Sequence, residues 1–186
     1  MYDIIIAGAG PAGASAALFT AKAGKKTLVL DSDQSMTRKA WVKNHYGAKE
    51  ISGPDLVETG LEQMKKFDAV HQSGKVTKVE DAGDHVQVIT EDGEYQASYV
   101  LLATGTIADA AEASGIQTKE GSEPRIKKVV DIQEDGRTSM NRVWAAGTCA
   151  DKSVHTIVTA GHGAEVAINI LSDMNGERYV DHDVLK

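Results

Sequence analysis

Gly8, Gly10 and Gly13 stand in the pattern Gly8-Ala-Gly10-Pro-Ala-Gly13, directly behind the apolar run Ile4-Ile-Ile-Ala7 and ahead of an alanine-rich, helix-forming stretch. That spacing suits the cradling of a diphosphate. The first glycine permits a tight turn, the second lets backbone approach a pyrophosphate, and the third lets helix and strand pack closely. Pro11 fits a helix's first turn, where its missing N–H costs nothing, and Ala12 completes the pattern. The free N–H groups and positive dipole end of such a helix hold an anion even in an acidic chain. Asp31 closes the second apolar run, Leu28-Val-Leu-Asp31, at the distance along the chain where a carboxylate takes the hydroxyls of an adenosine ribose. The plainer reading is a glycine-rich turn without a ligand. Strand, motif, helix, strand and acid in register argue against it.

Two later segments carry the same small-residue punctuation. Leu101-Leu-Ala-Thr-Gly105 ends an apolar run in a turn, and Val143-Trp-Ala-Ala-Gly147 does so again, followed by Thr148, Cys149, Asp151 and the helix-like Thr159–Ala164. Cys149 invites a redox role, but a lone thiol in a small-residue turn has no partner for dithiol exchange, and packing is the favoured reading. The six histidines show no metal-ligand spacing. His155 and His162 flank the start of the last helix, where either a proton donor or a surface or capping role is open, the latter favoured. Trp41 and Trp144 read as rim or core, and Arg38, Lys39, Lys43 and Lys49 as a solvated loop rather than a phosphate clamp.

The elements that must position these residues follow from periodicity. Ile4–Ala7 and Thr27–Leu30 are continuous apolar runs, as in parallel strands buried on both faces. A helix is expected from Pro11 to about Ala23 with Gly24 as its stop, and residues 32–50 are polar and irregular. Ser52-Gly-Pro-Asp55 caps a second helix to about Phe67, with Leu56, Leu61, Met64 and Phe67 near helical spacing. From Lys75 to Ala97 alternation predicts an antiparallel meander, after which Tyr99–Ala103 is a separate buried strand. Residues 106–127 hold one weak helix and then loop. Lys128–Ile132 and Val143–Ala146 are strands separated by the Asp135-Gly136 turn, and a helix from about Thr156 to Met174 ends at Asn175-Gly176. The expected fold class is α/β, a Rossmann-like parallel sheet with a small antiparallel β-meander.

Size and charge narrow the field. The 186 residues are expected to form one domain, 1–186, large enough to bury a core. A net charge of −7 argues against a nucleic-acid or anionic-membrane partner. The first apolar run is too short and glycine-rich for a signal core, and no run approaches the roughly 20 apolar residues of a membrane span, so a cytoplasmic location is expected. The single cysteine leaves no internal disulfide and no Cys-x-x-Cys pair.

The order of the motifs separates the remaining choices. A dehydrogenase would continue with further strand–helix units, whereas here a meander intervenes before Ala103-Thr-Gly105, Val143-Trp-Ala-Ala-Gly147 and the Thr159–Ala164 helix. That order resembles the FAD domain of the thioredoxin reductase-like pyridine nucleotide–disulfide oxidoreductases, over nearly the whole chain. The resemblance implies FAD as cofactor, a fold of the glutathione/thioredoxin reductase type, and a homodimer. It carries cofactor contacts to Gly8, Gly10, Pro11, Ala12, Gly13, Asp31, Asn44, Val70, Ala103, Thr104, Gly105, Gly147, Thr148, Thr156 and Ile157. Asn44 matches an Asn-aromatic-Pro-Gly segment beside the flavin, with His45 and Tyr46 in place of the aromatic and proline.

Three departures matter. The family inserts a nicotinamide domain with its own glycine fingerprint shortly after Ala-Thr-Gly, but only 37 residues, 106–142, lie between Gly105 and Val143. Thr148 stands where the family carries an acid, and Gln34-Ser-Met-Thr37 replaces a pair of glycines. Two functions follow as expectations. One is an FAD-dependent oxidoreductase without its own nicotinamide domain or redox dithiol, reduced by free reduced nicotinamide or by a partner reductase. The other is a non-catalytic FAD- or nucleotide-binding module, or one half of a split reductase.

Overall fold

The computed structural model describes residues 1–185. Its frame is a parallel sheet whose strands β1 (Tyr2–Ala7), β2 (Thr27–Asp31), β5 (Val70–Ser73), β8 (Glu94–Leu102) and β11 (Val143–Ala145) lie in the order β5-β2-β1-β8-β11. Between β2 and β5 come a 3₁₀ turn, the two-residue ladder β3 (Trp41–Val42) with β4 (Ile51–Ser52), and helix α2 (Gly53–Lys65). Antiparallel β6 (Val76–Asp81) and β7 (Val86–Thr90) extend the sheet beside the first half of β8.

The apolar runs are continuous because both faces of the sheet are covered. Ile4, Ile6, Val29, Leu101 and Trp144 face one core with helices α1 (Pro11–Lys22), α2 and α4 (Thr156–Asn175). Ile5, Ala7, Leu28, Leu30, Val100, Leu102, Val143 and Ala145 face a second core, closed by the meander and by α3 (Asp109–Ala113). Alternate residues of one run therefore serve opposite cores, as strand geometry requires.

The glycine- and alanine-rich composition of α1 and α4 lets the two helices meet closely. A Cβ on Gly163 of α4 would lie 2.1 Å from the Ala12 carbonyl oxygen of α1. Farther along, the Tyr99 hydroxyl donates to Asp173 at 2.6 Å and Arg137 donates to the same carboxylate at 2.7 Å, tying the end of α4 to the sheet. Burial and the Asp173 carboxylate together push the Tyr99 phenol up to about 12.

Several expectations are corrected in detail. Tyr95–Ala97 and Tyr99–Ala103 are not two strands but one, β8. Its first half pairs β7 antiparallel and its second half pairs β11 parallel, with β1 along its other edge. β5 is an edge strand that periodicity does not reveal, because Val-His-Gln-Ser is largely exposed and polar. In α2 the buried positions are Val57, Leu61 and Met64; Leu56 is only half-buried, and Phe67 lies beyond the helix end. The stretch expected to be loop contains β9 (Thr118–Glu120), the antiparallel partner of β10 (Lys128–Val130). The Asp135-Gly136 turn instead brings Arg137 opposite Trp144. Among the described residues, no helix is long and apolar enough to cross a membrane.

Candidate functional site

Parallel strands direct their carboxyl ends to one edge, and there the motif residues gather. Gly8, at φ +105°, donates its N–H to the Leu30 carbonyl at 2.8 Å, tying the glycine loop to the end of β2. A Cβ on Gly8 would sit 2.4 Å from the Ala103 carbonyl oxygen, so the first and second turns are in contact. A Cβ on Gly147 would sit 2.8 Å from the Ala12 Cβ, which brings in the third turn. Pro11, Ala12 and Gly13 form the first turn of α1, whose opening N–H groups have no acceptor within the helix. Ser35, from the Gln34–Thr37 stretch, approaches the loop: its Oγ would be 3.2 Å from a Cβ on Gly10.

Asp31 is buried, and one of its oxygens accepts the Ala9 N–H at 3.1 Å. The carboxylate and the glycine loop are therefore one preorganised unit. Thr104 donates from Oγ1 to the Ile107 carbonyl at 2.6 Å, shaping the turn in which Gly105 has φ +71°. Thr148 is buried in a 3₁₀ turn, Gly147–Ala150. Thr156 opens α4 and its Oγ1 lies 3.0 Å from His45 Nδ1, so the Asn44–Gly47 segment is held against the helix start, with Asn44 exposed. Around these turns Tyr46, Ile107 and Val154 are exposed apolar side chains on loops, and Ile157 and Val158 are exposed in the first turn of α4. Such a rim suits a flat apolar ligand or a partner better than water.

Val70 stands apart from this cluster. It is the first residue of β5, paired with Leu28, whereas Asp31 at the loop edge pairs with Ser73. Three residues of strand, about 10 Å, separate the two levels.

Neighbouring groups have structural work. His162 is buried, and its Nδ1 accepts the Gly147 N–H at 3.0 Å, holding the turn in shape. Burial, with Lys152 nearby, lowers its pKa to about 4, so the ring is neutral near pH 7 and carries its proton on Nε2. His155 pairs through Nδ1 with Ser153 Oγ at 2.8 Å. Cys149 is buried, its thiol against the Leu102 and Ala146 carbonyls at 3.3 Å, and burial pushes its pKa up, the reverse of an activated thiolate. Asp151 accepts from the Ser122 N–H at 2.8 Å and the Ser122 hydroxyl at 2.9 Å, which lowers its pKa and commits it to the β9–β10 connection. Trp144 is core and Trp41 is exposed rim. Arg38 and Lys43 are ion-paired to Asp33 at 2.7 Å and Glu50 at 3.0 Å.

A doubly covered parallel sheet with a meander, and with glycine loop, acid and two later turns on one edge, defines a dinucleotide-binding domain of the flavoprotein reductase type. Residues 68–164, more than half of the sequence, match the pyridine nucleotide-disulphide oxidoreductase family, and residues 3–43 match the FAD binding domain family. The chain belongs to the pyridine nucleotide-disulphide oxidoreductases. Among curated relatives, the thioredoxin reductase of Aquifex aeolicus is 38% identical over 120 residues, covering 62% of this chain and 37% of that protein. That of Bacillus subtilis is 36% identical over 108 residues, covering 56% and 34%. The matched segment thus spans less than two fifths of those relatives. In fold, the chain is similar to a thioredoxin reductase from Gloeobacter violaceus (TM-score 0.85, 17% identity, 100% of this chain and 99% of that one). It is likewise similar to the atypical thioredoxin reductase of Desulfovibrio vulgaris Hildenborough (TM-score 0.83, 19% identity, 95% and 99%).

Proposed function

We propose that this chain binds FAD and works as an oxidoreductase whose reducing equivalents come from free reduced nicotinamide or from a partner reductase. The observation that carries the reading is the convergence of three distant segments on one edge of the sheet, with Gly8 against Ala103 and Gly147 against Ala12. The cradle fits the group. A buried carboxylate tied to the glycine loop suits an adenosine ribose, the first turn of α1 suits a pyrophosphate, and the apolar rim around Ile107 and Ile157 suits an isoalloxazine ring. When bound, FAD supplies the two-electron chemistry. The chain's part is to seat the cofactor through Asp31, Gly10 and Gly13, to present the start of α4 at Thr156 and Ile157 to the ring, and to exclude water with its apolar rim.

What supports an external electron source is that residues 106–142 hold α3, the β9–β10 hairpin and the turn at Asp135-Gly136. That segment contains no second glycine fingerprint, which the family's nicotinamide domain carries. A second reading, a flavin-binding module without turnover or one half of a split reductase, is favoured by Thr148, which leaves the third turn without the family's acid. The deciding experiment has two parts. Nucleotide released by denaturing the purified protein is identified, with FAD expected; stoichiometric NAD or FMN would end the flavin reading. Steady-state oxidation of NADH or NADPH with a quinone or dye is then compared with free FAD, and a rate no higher than free FAD would favour the module.

A further inference from the structure

Among the described residues two buried side-chain nitrogens have no hydrogen-bond partner, Arg38 Nε and His71 Nε2. Arg38 has the Asp33 carboxylate 2.7 Å away as counter-ion, whereas His71 has nothing at that range. The His71 side chain is about a quarter exposed overall, yet its Nε2 is sealed from solvent, and the nearest acceptor recorded for it is Asp31 Oδ2 at 3.8 Å. A sealed ring nitrogen without a partner is costly whether it carries the proton or a lone pair, on the order of a lost hydrogen bond, so such a gap calls for something to close it. Register explains the placement. His71 pairs with Val29 on the neighbouring strand, two residues before Asp31, so both side chains stand on the same face of the sheet.

We propose that His71 is a positioning residue for the ribose-binding carboxylate: with its proton on Nε2, the imidazole donates to Asp31 Oδ2 when an adenosine ribose docks. This rests on the reading of Asp31 as the ribose ligand. Closing 3.8 Å to a normal hydrogen bond needs about 1 Å of movement. The Asp31 carboxylate has about four acceptor positions. The Ala9 N–H takes one from the glycine loop and His71 takes a second from β5, which leaves two directed at a vicinal pair of hydroxyls. Held from both sides, the carboxylate meets the diol without losing rotational freedom on binding.

The test is the affinity of the apoprotein for ADP and for 2′,3′-dideoxy-ADP by calorimetry, which needs no flavin and no turnover. The wild type is expected to prefer ADP by about thirtyfold, since the dideoxy ligand leaves two acceptor positions of a buried carboxylate unfilled. His71→Met, similar in bulk but without a donor, reduces that preference to about threefold through loss of ADP affinity, and His71→Gln, which keeps an amide donor, restores most of it. A purely structural histidine would lower both affinities in parallel. An unchanged ratio in His71→Met, a parallel loss for both ligands, or equal ratios for the Met and Gln variants overturns the proposal. A wild type that prefers ADP but takes up no FAD would overturn the flavin reading and leave this one standing. A wild type that binds neither adenine nucleotide overturns both.

Discussion

Gly10 and His162 show how a single side chain, or its absence, sets the site. Gly10 has φ −67° and ψ −177°, a backbone any residue adopts, and the only neighbour a Cβ would crowd is the Ser35 hydroxyl at 3.2 Å. The turn itself therefore does not require a glycine at this position. Gly10→Val is expected to fold, with a melting temperature close to wild type, and to copurify without flavin; full flavin retention would move the phosphate site elsewhere. His162 makes a pH prediction. Its folded pKa, about 4, lies below the ordinary 6.5, so as pH falls through that window the unfolded chain takes up a proton that the native state refuses. Stability is full above pH 6.5 and declines toward pH 4, by about 3 kcal/mol in all from this group. His162→Asn keeps an oxygen to accept the Gly147 N–H but cannot titrate, so urea unfolding of the variant should show a shallower decline between pH 6.5 and 4. An identical slope in variant and wild type would show that other groups govern acid sensitivity.

At the scale of elements, the contact between α1 and α4 does most to join the first and third turns. Gly163 and Gly161 lie two residues apart in α4 and differ completely in surroundings. A Cβ at Gly163 meets the Ala12 carbonyl at 2.1 Å, while one at Gly161 meets nothing within 4 Å. Gly163→Ala should cost about 3 kcal/mol and loosen cofactor binding, because the helices must part where Ala12 belongs to the glycine loop. Gly161→Ala should stabilise by about 0.5–1 kcal/mol through helix propensity alone. Thermal unfolding of the two variants checks both signs. These helices were readable from the sequence because their caps are local: Pro11 and Gly24 bound one, Ser52 with Asp55 starts another, and Gly176 ends the last in the left-handed region. What sequence does not display is pairing. β8 belongs to two ladders at once, β5 is too polar to look like a strand, and β9 acquires its strand geometry only from β10. The same limit hid His71, whose meaning comes from the strand beside it, and the burial of His162 under Gly147.

Across the whole molecule, the thiol chemistry open to this chain is confined to Cys149. In the family that this chain resembles, electrons pass from flavin to a protein disulfide through a neighbouring dithiol. This chain carries one cysteine, and Cys149 is fully packed between the ends of β8 and β11 with its thiol on two carbonyl oxygens. A thiol exchanges with a disulfide as thiolate, and burial raises the Cys149 pKa, so both access and ionisation oppose the reaction. Residues 106–142 present only the five-residue helix α3, so no second long helix N-terminus is offered there to a nicotinamide pyrophosphate. The FAD-loaded chain alone should therefore oxidise reduced nicotinamide slowly and with little saturation, and should not reduce a thioredoxin-like disulfide at an appreciable rate. Cys149→Ser should leave the nicotinamide oxidation unchanged, since this side chain is packed away against the Leu102 and Ala146 carbonyls. Stopped-flow reduction of the bound flavin, read at increasing NADPH, measures the first claim, and a disulfide-coupled assay measures the second. Saturable disulfide reduction by this chain alone, abolished in Cys149→Ser, would mean that the buried thiol becomes exposed in a second conformation and that the turn between β11 and α4 is a moving part of the enzyme.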